Sequence, residues 1–374
     1  MVCKGQRSLA LFLRYCVARA VCNLVPFMCC IWRAQGYERV MCTIRPPRIQ
    51  SYLVKFRGTY SGTFSQRFLH WLSILDPGYL FASYAKIENA RALLARTENI
   101  TESLQDKKMK EAWNLSLGSV HPGTGDIIPA LFRPTAFPLC STTLLLFSLL
   151  PHRRENQAIW QFIFHSYLVG FGFANGNSEK RTNKNGPENV KEYPYKELLF
   201  SSGTVLFSAF CGTFPHFVIN HIKPQRPSVQ LLFKYIIPGP LTATLAAFNL
   251  TVIRTRELEE GIEVMDSKGK VIGVSQRAGI KAVEETALSR AALFGTAILV
   301  PDLILLCLRR AFLALQNPLV FNPLRYGALV FIYGAVIPVS FSWMPQIGTI
   351  KRSVLEPEIA SSTEETELFY NRGL

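Results

Sequence analysis

ATLAAFNLTVIRTRELEEG, residues 243–261, is the stretch on which the reading of this chain turns. It leaves an apolar segment, passes one amide, Asn249, and runs into Arg254, Arg256, Glu257, Glu259 and Glu260. The nineteen residues from Tyr235 to Ile253 carry no charge. At ~1.5 Å per helical residue they nearly match a ~30 Å hydrocarbon layer. The segment therefore reads as a membrane span that ends where the charges begin. An amide inside such a span is costly unless it faces other helices or a wet cavity. Asn249 serves either a helix–helix hydrogen bond or a solute pathway, and the residues leave both open.

Similar uncharged runs lie on either side: Pro134–Pro151, Asn156–Ser178, Leu198–Ile222 and Tyr326–Ile350. A sixth apolar segment, Ala287–Leu308, contains Arg290 and Asp302. These are continuous runs rather than alternating ones, which argues for helices and against a β-barrel. The expected fold is all-α, a polytopic helical membrane protein with five to six membrane segments. Asn156–Ser178, with His165, Asn175 and Asn177, is the segment that leaves the count open. Pro138, Pro215, Pro238, Pro240, Pro301 and Pro338 interrupt the spans and mark either kinks or cavities. Asp302 is the one carboxylate well inside a span, which makes it a default functional candidate. Arg290, twelve residues earlier and ~18 Å along a helix, is too far away to pair with it.

Composition agrees. The 374 residues are 49% hydrophobic, with a mean hydropathy of +0.17 and a net charge of +15. Most of that charge lies in residues 1–70, where eleven basic residues face a single acid, Glu38. The remainder is nearly balanced, so nucleic acid is not the expected partner. Residues 1–50 form a basic leader, targeting-like or disordered. Residues 51–127 read as a small polar helical domain, with Asp76-Pro77 ending one helix and Ser83 and Thr101 capping two others. Residues 128–350 form the bundle. Gly261–Ser275 alternates around Asp266-Ser267-Lys268-Gly269 and reads as a short β-hairpin in an extramembrane loop. In the tail, 351–374, Ser362 and Glu365 have the capping-box spacing for a last short helix.

Catalytic and metal signatures are absent. There is no C-x-x-C pair, Gly-rich phosphate loop, nucleophile elbow or H-E-x-x-H, and His216 and His221 have no nearby carboxylate. No cofactor, metal or enzymatic activity is expected.

Several short motifs occur in collinear order. They are Arg67-Phe68-x-His70 leading to Asp76-Pro77, and His121-Pro122-Gly123-Thr124-Gly125-Asp126. Further on come Asn249-x4-Arg254-x-Arg256-Glu257-Leu258-x2-Gly261-Ile262, then Asp266, Gly269, Gly273 and Ser275, and the ending Tyr370-Asn371-Arg372-Gly373-Leu374. Together they resemble the sideroflexins over roughly residues 50–374. The resemblance implies a multi-pass protein of the mitochondrial inner membrane, in contact with its lipids, that carries a neutral amino acid. It implies a pathway lined by Asn177, Asn249, Arg254, Glu257 and Asp302, and a family-motif turn at His121, Pro122, Thr124, Gly125 and Asp126. The chain departs from the family pattern at Gly123, Ala174, Ala246 and Thr251. The lost amides count against serine as the cargo, since each missing hydrogen bond is worth ~0.5–1.5 kcal/mol. The alternative implied is a non-transporting factor that supports assembly of respiratory complex I and mitochondrial iron homeostasis.

Overall fold

The computed structural model describes residues 62–96, 107–150, 154–177, 193–312 and 316–374. The basic leader 1–50 and the Thr101 cap lie outside the described residues. Three amphipathic helices come first: α1 (Phe64–Ile74), α2 (Tyr84–Arg96) and α3 (Lys107–Leu117). Asp76 accepts from the Gly78 amide at 2.8 Å and turns the chain after α1, while Ser83 Oγ accepts from the Lys86 amide at the start of α2. The apolar part follows as α4 (Phe137–Leu149), α5 (Arg154–Asn175), α6 (Tyr193–Phe217), α7 (Pro227–Leu231) and α8 (Pro238–Ile253). After α9 (Thr255–Glu260) come strands β1 (Ile262–Met265) and β2 (Val271–Ser275), then the two longest helices, α10 (Gln276–Ala311) and α11 (Pro318–Trp343). The chain closes with β3 (Ile347–Lys351), α12 (Pro357–Ser361) and β4 (Glu367–Asn371).

By length and composition, four helices are able to cross a membrane: Leu199–Ile222, Pro227–Ile253, Gln276–Ala311 and Pro318–Trp343. Of the other two expected segments, one forms the short apolar helix α4 and the other forms α5, whose interior face is polar. The bundle presents apolar side chains outward, with Phe207, Phe210, Phe214, Leu303, Ile304 and Phe331 all exposed. Asn249, His165, Ser208, Arg290 and Asp302 are buried between helices. That polarity is reversed relative to a water-soluble globule and suits a lipid surround.

Aromatic rings bind the first helix to the bundle. Trp71 of α1 meets Phe341 of α11 edge-on at 5.0 Å, and Phe341 lies 5.5 Å from Phe137 of α4. Phe137 in turn lies 4.4 Å from Phe171 of α5. Edge contacts of this kind contribute ~0.5–1.5 kcal/mol beyond area burial.

The expected hairpin is present, with Asp266 Oδ1 accepting from the amides of Lys268 and Lys270 and Gly269 at φ 79°. It is half of a four-stranded antiparallel sheet of order β2-β1-β4-β3, whose other half comes from the tail. The capping-box expectation at Ser362 fails. The short helix α12 ends at Ser361, and Glu365 instead accepts from the amide and hydroxyl of Ser267 in the hairpin turn, at 2.9 and 2.6 Å. The tail then enters β4. Successive side chains of a strand point to opposite faces. Leu368 and Tyr370 accordingly pack with Ala278 and Ala282 of α10, whereas Phe369 packs with Ile87 and Trp113 of α2 and α3. The sheet is therefore the layer that joins the N-terminal helices to the bundle.

Two measurements check this architecture. Gly261 has φ 80° and ψ −177°, and a Cβ there would lie 2.5 Å from the Ser275 backbone. Gly261→Ala is expected to cost at least about 2 kcal/mol, whereas Gly327→Ala, with open space around it in α11, should be neutral or stabilise by ~0.5–1 kcal/mol in thermal unfolding. In α1, burial and the charge of Lys110 pull the His70 imidazole down to about 4. The unfolded chain takes up that proton near pH 6.5, so the contribution is complete above that pH and is lost as pH falls towards 4, by at most about 3 kcal/mol. His70→Gln should flatten that limb of the stability profile.

Candidate functional site

Arg254 stands at the break between α8 and α9, where the apolar run ends. Its guanidinium donates from Nε to Glu257 Oε1 at 2.7 Å and from Nη2 to Glu257 Oε2 at 2.5 Å. The i, i+3 spacing brings the carboxylate back over the same helical turn, and both side chains are buried. Nη2 also donates to the Arg372 carbonyl at 2.7 Å, and Nη1 donates to Thr286 Oγ1 of α10 at 3.1 Å. Asn177, just beyond α5, donates its backbone amide to Glu257 Oε1 and its side-chain amide to Glu257 Oε2 and the Asn371 carbonyl. Three of the pathway residues expected from sequence, Asn177, Arg254 and Glu257, thus meet in one cluster. The group they bind is the tail of the protein itself.

The His121–Asp126 turn reaches the same place. His121 Nδ1 accepts from the amides of Gly123 and Thr124, at 3.2 and 3.0 Å. A ring nitrogen that accepts leaves the proton on the other, so Nε2 donates to the Gly176 carbonyl at 2.5 Å. Gly125 takes φ 73°, and the His121 amide donates to the Asp126 carbonyl to close the turn. Pro122 and Thr124 are half-buried, while the Asp126 side chain is exposed. The turn therefore clamps the end of α5 beside Asn177.

Asn249 lies five residues before Arg254, about 7.5 Å deeper along the helix. Its Oδ1 accepts from Ser208 of α6 at 2.6 Å, and its Nδ2 donates to His165 Nδ1 of α5 at 2.9 Å. Among the described residues, the His165 Nε2 is buried without a partner. Around Asn249 is a small, partly open cavity of about 20 Å³, lined also by Phe137, Phe171, Ala246, Arg290 and Leu374. Gly172 of α5 allows a close approach to α8 here, since a Cβ on it would meet Ile253 at 3.3 Å.

Asp302 does not join this group. It lies sixteen residues beyond Thr286, about 24 Å further along α10. There it makes a buried bidentate pair with Arg325 of α11, at 2.5 and 2.7 Å, and the Arg325 guanidinium lies 4.9 Å from the Tyr235 ring. Sequence reasoning missed Arg325 because it sits one residue before the uncharged run beginning at Tyr326. It also missed His165 and Ser208, whose partner Asn249 comes from another span. Among the described residues, no group of three or more His, Cys, Asp or Glu is placed to hold a metal ion.

These features define a helical membrane protein whose extramembrane sheet is locked to its bundle by one buried ion pair. A family model described as Sideroflexins matches residues 60–374. The chain belongs to the sideroflexin family. Sideroflexin-4 of Danio rerio is 40% identical over 314 residues, covering 83% of this chain and 96% of that protein. Sideroflexin-4 of Bos taurus is 40% identical over 324 residues, with 86% and 99% covered. Sideroflexin-5 of Homo sapiens is 28% identical over 315 residues, with 83% and 90% covered. No solved structure matches the chain.

Removing Glu257 leaves the Arg254 charge buried without its carboxylate, which typically costs 3–5 kcal/mol. Glu257→Ala is therefore expected to abolish the monodisperse detergent-solubilised species in size-exclusion chromatography. Glu260→Ala removes only the exposed Arg256–Glu260 pair and should leave that species unchanged.

Proposed function

We propose that this protein is a multi-pass carrier of the mitochondrial inner membrane that moves a small amino acid. One observation supports this reading. Asn249, about one turn from the end of a span, faces inward, holds a histidine and a serine from two other helices, and borders a cavity. Buried polar groups at this depth are expensive and are kept where a polar solute must lose water. Serine remains a doubtful cargo, because Ala174 and Ala246 stand where the family pattern has amides.

The alternative is a non-transporting factor for assembly of respiratory complex I, with a link to iron homeostasis. It is favoured by a different observation: Arg254, Glu257 and Asn177 are already hydrogen-bonded within the chain, largely to one another and to its tail. Such a cluster rigidifies a surface and has little left to offer a solute.

Uptake of labelled neutral amino acids into liposomes holding the purified protein separates the two. A carrier should show uptake that Asn249→Ala lowers by about tenfold, the effect of losing one or two hydrogen bonds. No uptake of any amino acid, together with loss of complex I in cells lacking the protein, would establish the assembly role.

A further inference from the structure

Four of the apolar runs stop at a cation on the same end of the bundle, the end remote from the sheet. Lys223 follows Leu198–Ile222, Arg309 follows Ala287–Leu308, Lys234 precedes Tyr235–Ile253, and Arg325 precedes Tyr326–Ile350. α8 and α11 lead from this end to the sheet side, α10 arrives there from it, and Lys223 lies in the turn between α6 and α7. Arg226 and Arg310 add to the group. Residues 216–237 contain no acid, and residues 302–328 contain only Asp302, which Arg325 already answers bidentately. Among the described residues, Lys223, Arg226, Lys234, Arg309 and Arg310 make no ion pair. The sheet end is different in kind, with Glu257, Glu259, Glu260, Glu263 and Asp266 in one short stretch.

Two buried rings gather three of these cations. Tyr235 and Phe321 meet edge-on at 6.0 Å. Lys234 Nζ and the Arg325 guanidinium lie 5.2 and 4.9 Å from the Tyr235 centroid, and the Arg309 guanidinium lies 5.2 Å from that of Phe321. Ring faces favour a cation but accept no directed hydrogen bond of ordinary strength, so the donors of Lys234 and Arg309 stay open to an oxygen ligand. The backbone is irregular here as well. Val218–Ile222 and Leu232–Ile236 are wide π turns, closed by the Lys223 amide donating to the Val218 carbonyl and the Ile237 amide to the Leu232 carbonyl. Lys223 takes φ 47°, a left-handed conformation uncommon for a residue with a Cβ.

We propose that this end of the bundle docks an anionic phospholipid, with Lys234 and Arg309 holding its phosphate and the acyl chains lying on the apolar faces beside them. Depth selects a lipid over a soluble anion. The 36 residues of α10 extend about 54 Å, well beyond a ~30 Å hydrocarbon layer, and its apolar part closes at Leu308, so Arg309 stands where headgroups begin. Leu231, Leu308, Phe312 and Leu324, neighbours of these cations along the chain, are exposed. Charge selects the headgroup. A zwitterionic lipid brings its own ammonium into a patch already in cationic surplus, whereas a net negative one neutralises it. Arg325 acts through its field alone, since Asp302 occupies its fork. Either function proposed above accommodates such a lipid.

The test is thermal unfolding of the full-length protein in a neutral detergent doped with phosphatidylglycerol, phosphatidylcholine or inorganic phosphate. Phosphatidylglycerol should raise the midpoint by about 2 °C at tenfold excess over its dissociation constant, and the other two should leave it in place. Each basic residue at an anionic surface changes binding by about fivefold. Lys234→Gln with Arg309→Gln should therefore raise the phosphatidylglycerol fraction needed for half the shift by about 25-fold. Lys234→Gln alone, a change at an exposed side chain, should raise it by about fivefold and covers the case in which the double variant fails to fold. Lys268→Gln with Lys270→Gln removes the same charge from the exposed hairpin turn at the other end and should leave the titration unchanged. No shift with phosphatidylglycerol, an equal shift with phosphatidylcholine, a shift that inorganic phosphate reproduces, or equal weakening by the two double variants overturns the proposal.

Discussion

A charged pair taken out of water is stable only when nearly all of its hydrogen-bonding capacity is met, and Arg254–Glu257 meets that condition through the whole fold. Arg254 reaches α10 through Thr286 and the tail through the Arg372 carbonyl, while Glu257 reaches the end of α5 through Asn177. The break between α8 and α9 brings the two residues together. Without the tail in place, one guanidinium nitrogen loses a carbonyl; without Asn177, the carboxylate loses two donors. The same constraint explains the small residues around it. A Cβ on Gly373 would come within 2.9 Å of Arg254 Nη2, and one on Gly176 within 3.3 Å of Glu257 Oε1. Tail, turn and helix ends are therefore parts of one joint.

That joint fixes the sheet against the bundle, and the sheet carries the N-terminal helices. β4 is buried on both faces because it stands between α10 and the α2–α3 pair. Its neighbour β1 shares this central position, and the outer strands β2 and β3 complete the sheet. Pairing Val264 with Tyr370 ties a strand that follows the second of the four candidate spans to one that follows the last. The connection is long in sequence and short in space.

The helical membrane character was legible in the sequence because an uncharged run of sufficient length has few other uses, and Tyr235–Ile253 shows this most clearly. The hairpin was legible because Asp266 and Gly269 encode a local turn. The four-stranded sheet was not. Leu368-Phe369-Tyr370 is a short apolar run with no alternation, since both of its faces are covered, and its partner lies about a hundred residues earlier. Ser362 and Glu365 misled for a related reason: capping spacing is local, but Glu365 had a distant amide and hydroxyl at Ser267 to satisfy. The candidate residues were found as separate motifs. Only the fold reveals that His121, Asn177, Arg254 and Glu257 converge, while Asp302 belongs elsewhere.

Burial and charge alone do not identify a site in such a bundle, because a buried charge can be fully answered from within the chain. Asp302 is the most conspicuous acid in the sequence, yet Arg325 answers both of its oxygens, and the pair behaves as a staple between α10 and α11. Arg254 is equally buried and equally engaged. Asn249 divides its amide between two helices. Arg290 differs in that three aromatic rings lie against its guanidinium and hold it by cation–π attraction.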